Sequence, residues 1–81
     1  MMQFGFSIIY IDKDRKLRHK KIQSYSALEA RYTWEEQHPD TIVLSAGLGT
    51  VNKEAWAELK KHEAEIVKAN LGENNNNSEA L

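Results

Sequence analysis

The chain has 81 residues, no cysteine and a formal net charge of −1, which limits it to one small domain and excludes disulfides and cysteine-based zinc sites. Residues 13–21 (KDRKLRHKK) contain six of the eleven Lys and Arg side chains, so this segment carries +5 and the remainder of the chain carries −6. No apolar run reaches the length of a membrane span and no signal-peptide pattern begins the chain, so we expect a cytoplasmic protein that does not bind membranes.

The first 23 residues predict a β-hairpin. Residues 3–11 are rich in aromatic and β-branched side chains on both alternating faces, which is typical of a central strand. Turn-forming residues follow at 12–15, and residues 17–23 predict a second strand that is charged enough to belong at a sheet edge. The alternation of this strand places two groups on opposite faces: Leu17, His19 and Lys21 on one, and Arg18, Lys20 and Ile22 on the other.

A helix is predicted to follow the hairpin. Ser26 and Glu29 match the capping-box pattern, and Pro39 ends the helix by residue 37 because the residue before a proline avoids helical geometry. Apolar side chains fall on two arcs of this helix, one with Leu28 and Tyr32 and the other with Trp34. We expect Leu28 and Tyr32 to face the sheet and Trp34 to be exposed.

Residues 41–46 predict a short third strand, with Ile42 and Leu44 on one face and Val43 on the other. A glycine-containing turn at residues 47–50 leads to a second helix over residues 52–72, for which Asn52 is a good N-cap. His62 lies on the apolar side of this helix, so we expect a histidine in the core or in an interface, with one hydrogen bond to satisfy it. The alternative is a pairing of His62 with the nearby Glu58 or Glu65.

The element order β-β-α-β-α predicts a two-layer α+β domain over residues 1–72, in which an antiparallel hairpin and a third short strand pack on two helices. We expect the first helix to cross over the sheet, so that the third strand runs parallel to one hairpin strand. Residues 73–81 (ENNNNSEAL) predict a disordered Asn-rich tail. Self-association is the most natural way for so small a domain to bury more surface.

The sequence contains no recognisable catalytic or metal-binding pattern. Gly47 and Gly49 lack the third glycine of a dinucleotide-binding turn, and the serines do not occur in a nucleophile-elbow context. The adjacent Glu35 and Glu36 point in different directions on a helix and so do not form an acid–base pair. We therefore expect a protein that is not an enzyme and that uses no cofactor and no metal.

The basic hairpin, defined as residues 13–21, is the first candidate binding surface. Its alternating cations can contact phosphates, attract an acidic protein, or protect an exposed edge strand from aggregation. Aromatic side chains supply candidate anchors because Trp and Tyr dominate interface hot spots. The candidate partner-binding residues are Lys13, Arg15, Lys16, Arg18, Lys20, Lys21, Tyr32, Trp34 and Trp56.

The segment from Gly47 to Gly72, with VNKEAW at residues 51–56 and LKKH at residues 59–62, resembles short helical segments of small bacteriophage and prophage proteins. The small size, the lack of cysteine and the polar tail are also similar to phage accessory proteins. This resemblance implies binding to a host or virion protein, including inhibition of a host defence or nucleic-acid-processing enzyme. It implies no catalytic residue.

Our main hypothesis is a non-enzymatic protein-interaction module that self-associates, as a homodimer, and binds a protein partner. The alternative is a nucleic-acid-binding protein that uses the basic hairpin, whose affinity would fall steeply with salt. In a third hypothesis, the basic hairpin of one copy contacts the acidic first helix of another copy. The acidic residues of that contact would be Glu29, Glu35, Glu36 and Asp40.

Overall fold

The computed structural model describes residues 2–72, which form three strands and three helices. The elements in chain order are β1 (Phe4–Ile11), β2 (Leu17–Ser24), α1 (Ala27–Gln37), β3 (Ile42–Leu48), α2 (Lys53–Lys61) and α3 (Glu63–Asn70). The predicted α+β class is confirmed. The tail predicted over residues 73–81 lies outside the described residues.

The three strands form one antiparallel sheet in the order β2-β1-β3. In the hairpin register, Ile8 lies opposite Lys20 and Ile11 lies opposite Leu17. The prediction that the apolar β1 is central and the charged β2 lies at an edge is therefore confirmed. Because β3 is also antiparallel to β1, it runs parallel to β2 with β1 between them, as expected when α1 crosses over the sheet.

Helices flank the sheet on both sides, where the sequence predicted a single helical layer. On one face, Phe6 and Ile8 of β1 pack with Trp34 of α1. A second cluster joins Ile11 of β1 to Val67 of α3 and to part of α2. Since successive side chains of a strand point to opposite faces, the two clusters lie on opposite sides of β1. The sheet therefore has two small cores.

α1 begins at the N-cap that the sequence predicts. The Ser26 hydroxyl accepts a hydrogen bond from the Glu29 N–H at 3.1 Å, which satisfies a helix N–H that has no partner within the helix. The Glu29 carboxylate reaches one residue further back than in a standard capping box. It accepts hydrogen bonds from the Tyr25 N–H at 2.9 Å and from the Ser24 hydroxyl at 2.6 Å. These contacts join the start of α1 to the end of β2.

The orientation of α1 is the reverse of the predicted one. Trp34 is only 5 % exposed, whereas Leu28 and Tyr32 are 62 % and 63 % exposed. Trp34 tolerates burial because its indole N–H donates to the Thr41 hydroxyl at 3.0 Å, so its polar atom keeps a partner. The fully buried Ala30 lies on the same side of the helix. The prediction that Trp34 is exposed and that Leu28 and Tyr32 face the sheet is wrong.

The predicted second helix is divided at His62. α2 ends at Lys61, α3 begins at Glu63, and the backbone of His62 is not helical. The His62 side chain is 56 % exposed, and its two ring nitrogens lie 3.3 Å from a Glu65 oxygen and 3.9 Å from a Glu58 oxygen. The prediction of a core histidine is therefore wrong, and the alternative pairing with these two carboxylates is the one found.

Candidate partner-binding surface

β2 is an edge strand that presents positive charge on both of its faces. The pairing register places Arg18 and Lys20 on the face that α1 covers, and His19 and Lys21 on the opposite face. This is the alternation that the sequence predicts. All four side chains are exposed, so a molecule lying along β2 would meet cations whichever face it approached.

The outer edge of β2 also carries backbone groups that are open for hydrogen bonding. In an antiparallel strand, alternate residues direct their N–H and C=O groups to the same side. The Leu17 N–H donates to the Glu63 carboxylate at 2.6 Å, so Leu17 directs its backbone away from β1. The same alternation directs the backbone groups of His19, Lys21 and Gln23 outward, where no residue in the described range 2–72 bonds them.

One end of this edge is closed by Lys60 and Glu63, which we call the edge clamp. The Lys60 ammonium donates to the Glu63 carboxylate at 2.7 Å and to the Leu17 carbonyl at 3.3 Å. Glu63 accepts the Leu17 N–H as described above. Both backbone groups of Leu17 are therefore occupied, and the open part of the edge begins after Leu17.

Trp56 of α2 lies beside the closed end of the edge. Its half-buried ring meets the His19 imidazole edge-on, with ring centroids 4.5 Å apart. The Lys60 ammonium lies 5.9 Å from the centroid of the Trp56 ring. Together with Leu17 and Arg18, these side chains line a shallow cavity of about 330 Å³. The structure therefore brings Trp56 next to the basic strand, where it is placed to act as an anchor.

A second groove, of about 310 Å³, lies on the other face between the hairpin turn and the end of α1. Its floor contains stacked rings, because Trp34 lies 4.6 Å from Tyr10 and 3.9 Å from His38, measured between ring centroids. Its lining carries charges of both signs: Lys13 and Lys20, and also Asp12, Asp14 and Asp40. A row of phosphates in this groove would meet these carboxylates beside the lysines.

The hairpin cations differ in how far neighbouring carboxylates neutralise them. The Arg18 guanidinium bonds the Asp12 carboxylate at 2.9 Å, and this hydrogen bond is the main cause that lowers the pKa of Asp12. The Lys21 ammonium donates to the neutral Thr50 hydroxyl at 3.0 Å. Neither Lys20 nor Lys21 forms an ion pair with a carboxylate of residues 2–72. Of the three cations that β2 carries, these two lysines are therefore the ones that no carboxylate of residues 2–72 neutralises by an ion pair.

The structure separates the predicted site residues into groups. Arg18, Lys20 and Lys21 lie on β2, and Arg18 shares a cavity with Trp56. The remaining cations of the basic hairpin are all exposed and lie in the turn before β2: Lys13, Arg15 and Lys16. Tyr32 lies on the exposed outer side of α1, and Trp34 lies in the core. Tyr32 therefore does not belong to the surface around β2, and Trp34 takes part in it only through the groove that it lines with Lys20.

Sequence reasoning missed three residues of this surface. His19 was assigned to a strand face, but its contact with Trp56 depends on how α2 docks. The Lys60–Glu63 pair has the i,i+3 spacing of a helix-surface ion pair, which is a detectable signal. Nothing in that spacing, however, indicates that the pair would bond the backbone of Leu17.

Acidification should weaken the fold, because hydrogen bonds hold the pKa values of two glutamates below their ordinary range, as they do the pKa of Asp12. The Ser24 hydroxyl and then the Tyr25 N–H lower the pKa of Glu29. Lys60 and then the Leu17 N–H lower the pKa of Glu63. A carboxyl whose pKa is lower in the folded state stabilises that state above its unfolded pKa. This contribution is lost as the pH falls through the folded pKa.

We therefore expect the free energy of unfolding to fall between about pH 6 and about pH 3. A Glu29→Gln/Glu63→Gln variant should be less stable than the wild type at neutral pH, and the difference should shrink on acidification. Urea denaturation followed by circular dichroism at a series of pH values measures the free energy of unfolding of the wild type and its difference from that of the variant. Glu36→Gln, at an exposed position, serves as the control. A stability difference that does not change with pH would contradict the role of these two carboxyls.

No helix within residues 2–72 has the length and apolar character needed to cross a membrane. The same residues contain no cluster of His, Asp or Glu that could hold a metal ion. No family model, curated protein or solved structure matches the chain significantly. The geometry around β2 is therefore the basis on which a function is proposed.

Proposed function

We propose that this chain is a non-enzymatic protein-interaction module that binds an acidic, extended segment of a partner protein along β2. The observation that carries the proposal is that one edge strand combines open backbone groups with cations on both faces. A segment added to a sheet edge alternates its side chains between the two faces. An acidic segment would therefore meet Lys20 on one face and Lys21 on the other.

The edge clamp and Trp56 set where such a segment would begin. Because both backbone groups of Leu17 are occupied, an added strand would pair only with the part of β2 after Leu17. A partner side chain at that end would lie in the cavity beside Trp56 and Lys60. Backbone hydrogen bonds and this aromatic contact would supply affinity, and the lysines would favour acidic sequences and speed association.

Protection against aggregation is the other reason for a charged edge strand. Protection against aggregation is not a sufficient explanation here, because β3, the opposite edge strand, contains no charged residue. A chain under pressure only to protect its edges would be expected to charge both of them. The concentration of cations on β2 alone therefore supports a binding role.

The resemblance of residues 47–72 to bacteriophage segments adds a class of partner to the proposal. The acidic segment would belong to a host or virion protein. Binding would inhibit that protein if the segment forms part of its working surface.

Nucleic acid is the alternative ligand that the same cations allow. The carboxylates of Asp12, Asp14 and Asp40 line the groove beside Lys20 and would repel phosphates and acidic side chains alike, so they do not separate the two ligands. The open backbone edge of β2 favours the protein segment, because an added protein strand uses such an edge and contacts to phosphates require none.

Fluorescence anisotropy with two labelled probes of equal charge tests the proposal. One probe is an extended peptide that repeats two glutamates followed by two threonines, so that an added strand presents glutamates on both of its faces, and the other is single-stranded DNA. We expect saturable peptide binding that weakens with salt, tighter than DNA binding, while a lysine–threonine peptide of the same length does not bind. Tighter binding of DNA with a steep salt dependence would favour the nucleic-acid alternative. Absence of binding by both probes at low salt would contradict a binding role for β2.

A further inference from the structure

We propose that the β3 edge is a self-association surface, on which β3 pairs antiparallel with β3 of a second copy about a two-fold axis at Gly47. The two three-stranded sheets would then form one continuous sheet of six strands. This surface lies at the edge opposite β2, so the proposal is independent of partner binding there.

β3 lacks the features that normally keep an edge strand from pairing. Its sequence, IVLSAGL over Ile42–Leu48, contains no charge and no proline, which are the usual means of blocking edges. Leu48 is 71 % exposed, which places a large apolar side chain at the open end of the strand. An uncharged, apolar edge of this kind is a template for another strand.

Gly47 is not explained by the fold of a single copy. A Cβ atom at Gly47 would meet no atom within 4 Å, and the positive φ angles found among the described glycines belong to Gly49 and Gly72. Glycine weakens a strand, and within a strand it often marks the close approach of another backbone. A second β3 crossing at Gly47 supplies that backbone.

The pairing within the sheet determines which groups of β3 face outward. The Gly49 N–H donates to the Gly5 carbonyl at 2.9 Å, so Gly5 and its alternate neighbours in β1 direct their backbones to β3. Gly47, opposite Ser7, therefore bonds inward, and the residues on either side of it, Ala46 and Leu48, direct their N–H and C=O groups outward.

A two-fold axis at Gly47 matches these outward groups to each other. Ala46 of one copy lies opposite Leu48 of the second copy, and the two residues exchange both of their backbone hydrogen bonds. Leu48 of the first copy and Ala46 of the second copy exchange their backbone hydrogen bonds in the same way, so about four hydrogen bonds form across the axis. The small Ala46 side chain also leaves room for the opposing Leu48 on the same face of the sheet.

The Val43 carbonyl on the outer edge of β3 is already occupied, which favours pairing at the Gly47 end. The Arg31 guanidinium of α1 donates to the Val43 carbonyl at 3.4 Å. The open segment is therefore centred on Gly47, and such a short contact predicts a weak dimer that forms at high protein concentration.

A second copy of β3 is a better occupant of this edge than β2 of another copy. Pairing of β3 with β2 is head-to-tail, so it gives a filament or a larger ring and not a closed pair of copies. Pairing of β2 with itself would bring cations opposite cations, which is unfavourable. Only the pairing of β3 with itself closes with two copies and is free of charge repulsion.

Sedimentation equilibrium on the full chain tests the inference. We expect the wild type to approach the mass of two chains as concentration rises. Gly47→Lys and Gly47→Glu should each lower the association constant at least about tenfold, since like charges then face each other at the axis. Mixing these two variants should restore dimers, because residue 47 of one copy lies opposite residue 47 of the other. Ala57→Lys, on the exposed side of α2, is the control and should dimerise as the wild type does.

Two results would overturn the inference: a wild-type chain that stays monomeric at its highest soluble concentration, or Gly47→Lys dimerising as strongly as the wild type. A dimer that salt dissociates and that Gly47→Lys leaves intact would instead assign self-association to the contact between the basic hairpin and acidic α1. Charge reversal at Lys20 and Lys21 should leave the dimer unchanged, so failure of this inference is distinguishable from failure of partner binding at β2.

Discussion

Replacement of Trp34 by alanine should leave most of the chain unfolded. Trp34 is almost fully buried and stacks between Tyr10 and His38, and its indole bonds Thr41. Truncation of a buried Trp to Ala typically costs about 3–5 kcal/mol. A single core in a domain of this size rarely supplies more than about 3–5 kcal/mol of net stability. The expected loss is therefore comparable with the entire free energy of unfolding.

Far-UV circular dichroism and urea denaturation measure this effect. Tyr32→Ala is the matched control, since Tyr32 is an exposed aromatic residue on the same helix and its loss should change stability by less than about 0.5 kcal/mol. Trp34→Phe should lie between the two, because it keeps a ring but loses the donor to Thr41. A Trp34→Ala chain that unfolds cooperatively near the wild-type urea midpoint would show that the core does not depend on this residue.

Reversal of the two unpaired lysines of β2, in Lys20→Glu/Lys21→Glu, should weaken binding of the glutamate–threonine peptide by about tenfold to a hundredfold. Each exposed ion pair contributes about 0.2–1 kcal/mol, and reversal replaces two attractions by two repulsions. The resulting loss of roughly 1–3 kcal/mol corresponds to that range of affinity. The fold should be retained, since both side chains are exposed.

A control variant with the same net charge tests whether the position of the reversed lysines, and not the total charge of the protein, determines peptide binding. Lys53→Glu/Lys68→Glu changes two exposed lysines on α2 and α3 and should weaken the peptide only slightly, with most of the change in the association rate. Anisotropy titrations of both variants at low and moderate salt give the comparison. Equal losses in the two variants would mean that net charge, rather than the β2 surface, governs binding.

Elements that depend on neighbouring residues could be predicted from the sequence. The alternation of β2 assigned Lys20 and Lys21 to opposite faces, and the structure confirms this. The predicted alternation of β3 is also confirmed, because Val43 joins the core beneath α1 and Ile42 joins the other core. Asn52 caps α2 as predicted, since its side chain accepts the Ala55 N–H at 2.9 Å. Such contacts span only a few residues, so local patterns suffice.

Features that depend on distant residues could not be predicted. Both arcs of α1 are apolar, so the sequence does not show which arc faces the sheet. The buried arc is the one whose Trp34 indole N–H donates to Thr41, beyond the end of the helix. No proline or glycine near residue 62 predicts the helix break at His62. The edge clamp joins residues 43 and 46 positions apart in the chain, and no short-range pattern specifies such a contact.

The edge clamp can form only after most of the described domain has been synthesised. Leu17 belongs to the hairpin that emerges first, whereas Lys60 and Glu63 are among the last residues of the described domain to be made. A hairpin that forms before those residues are made would carry an edge that is one residue longer at its Leu17 end, and this end would stay open until the C-terminal helices dock. Such a hairpin would offer a longer strand edge than the finished protein does.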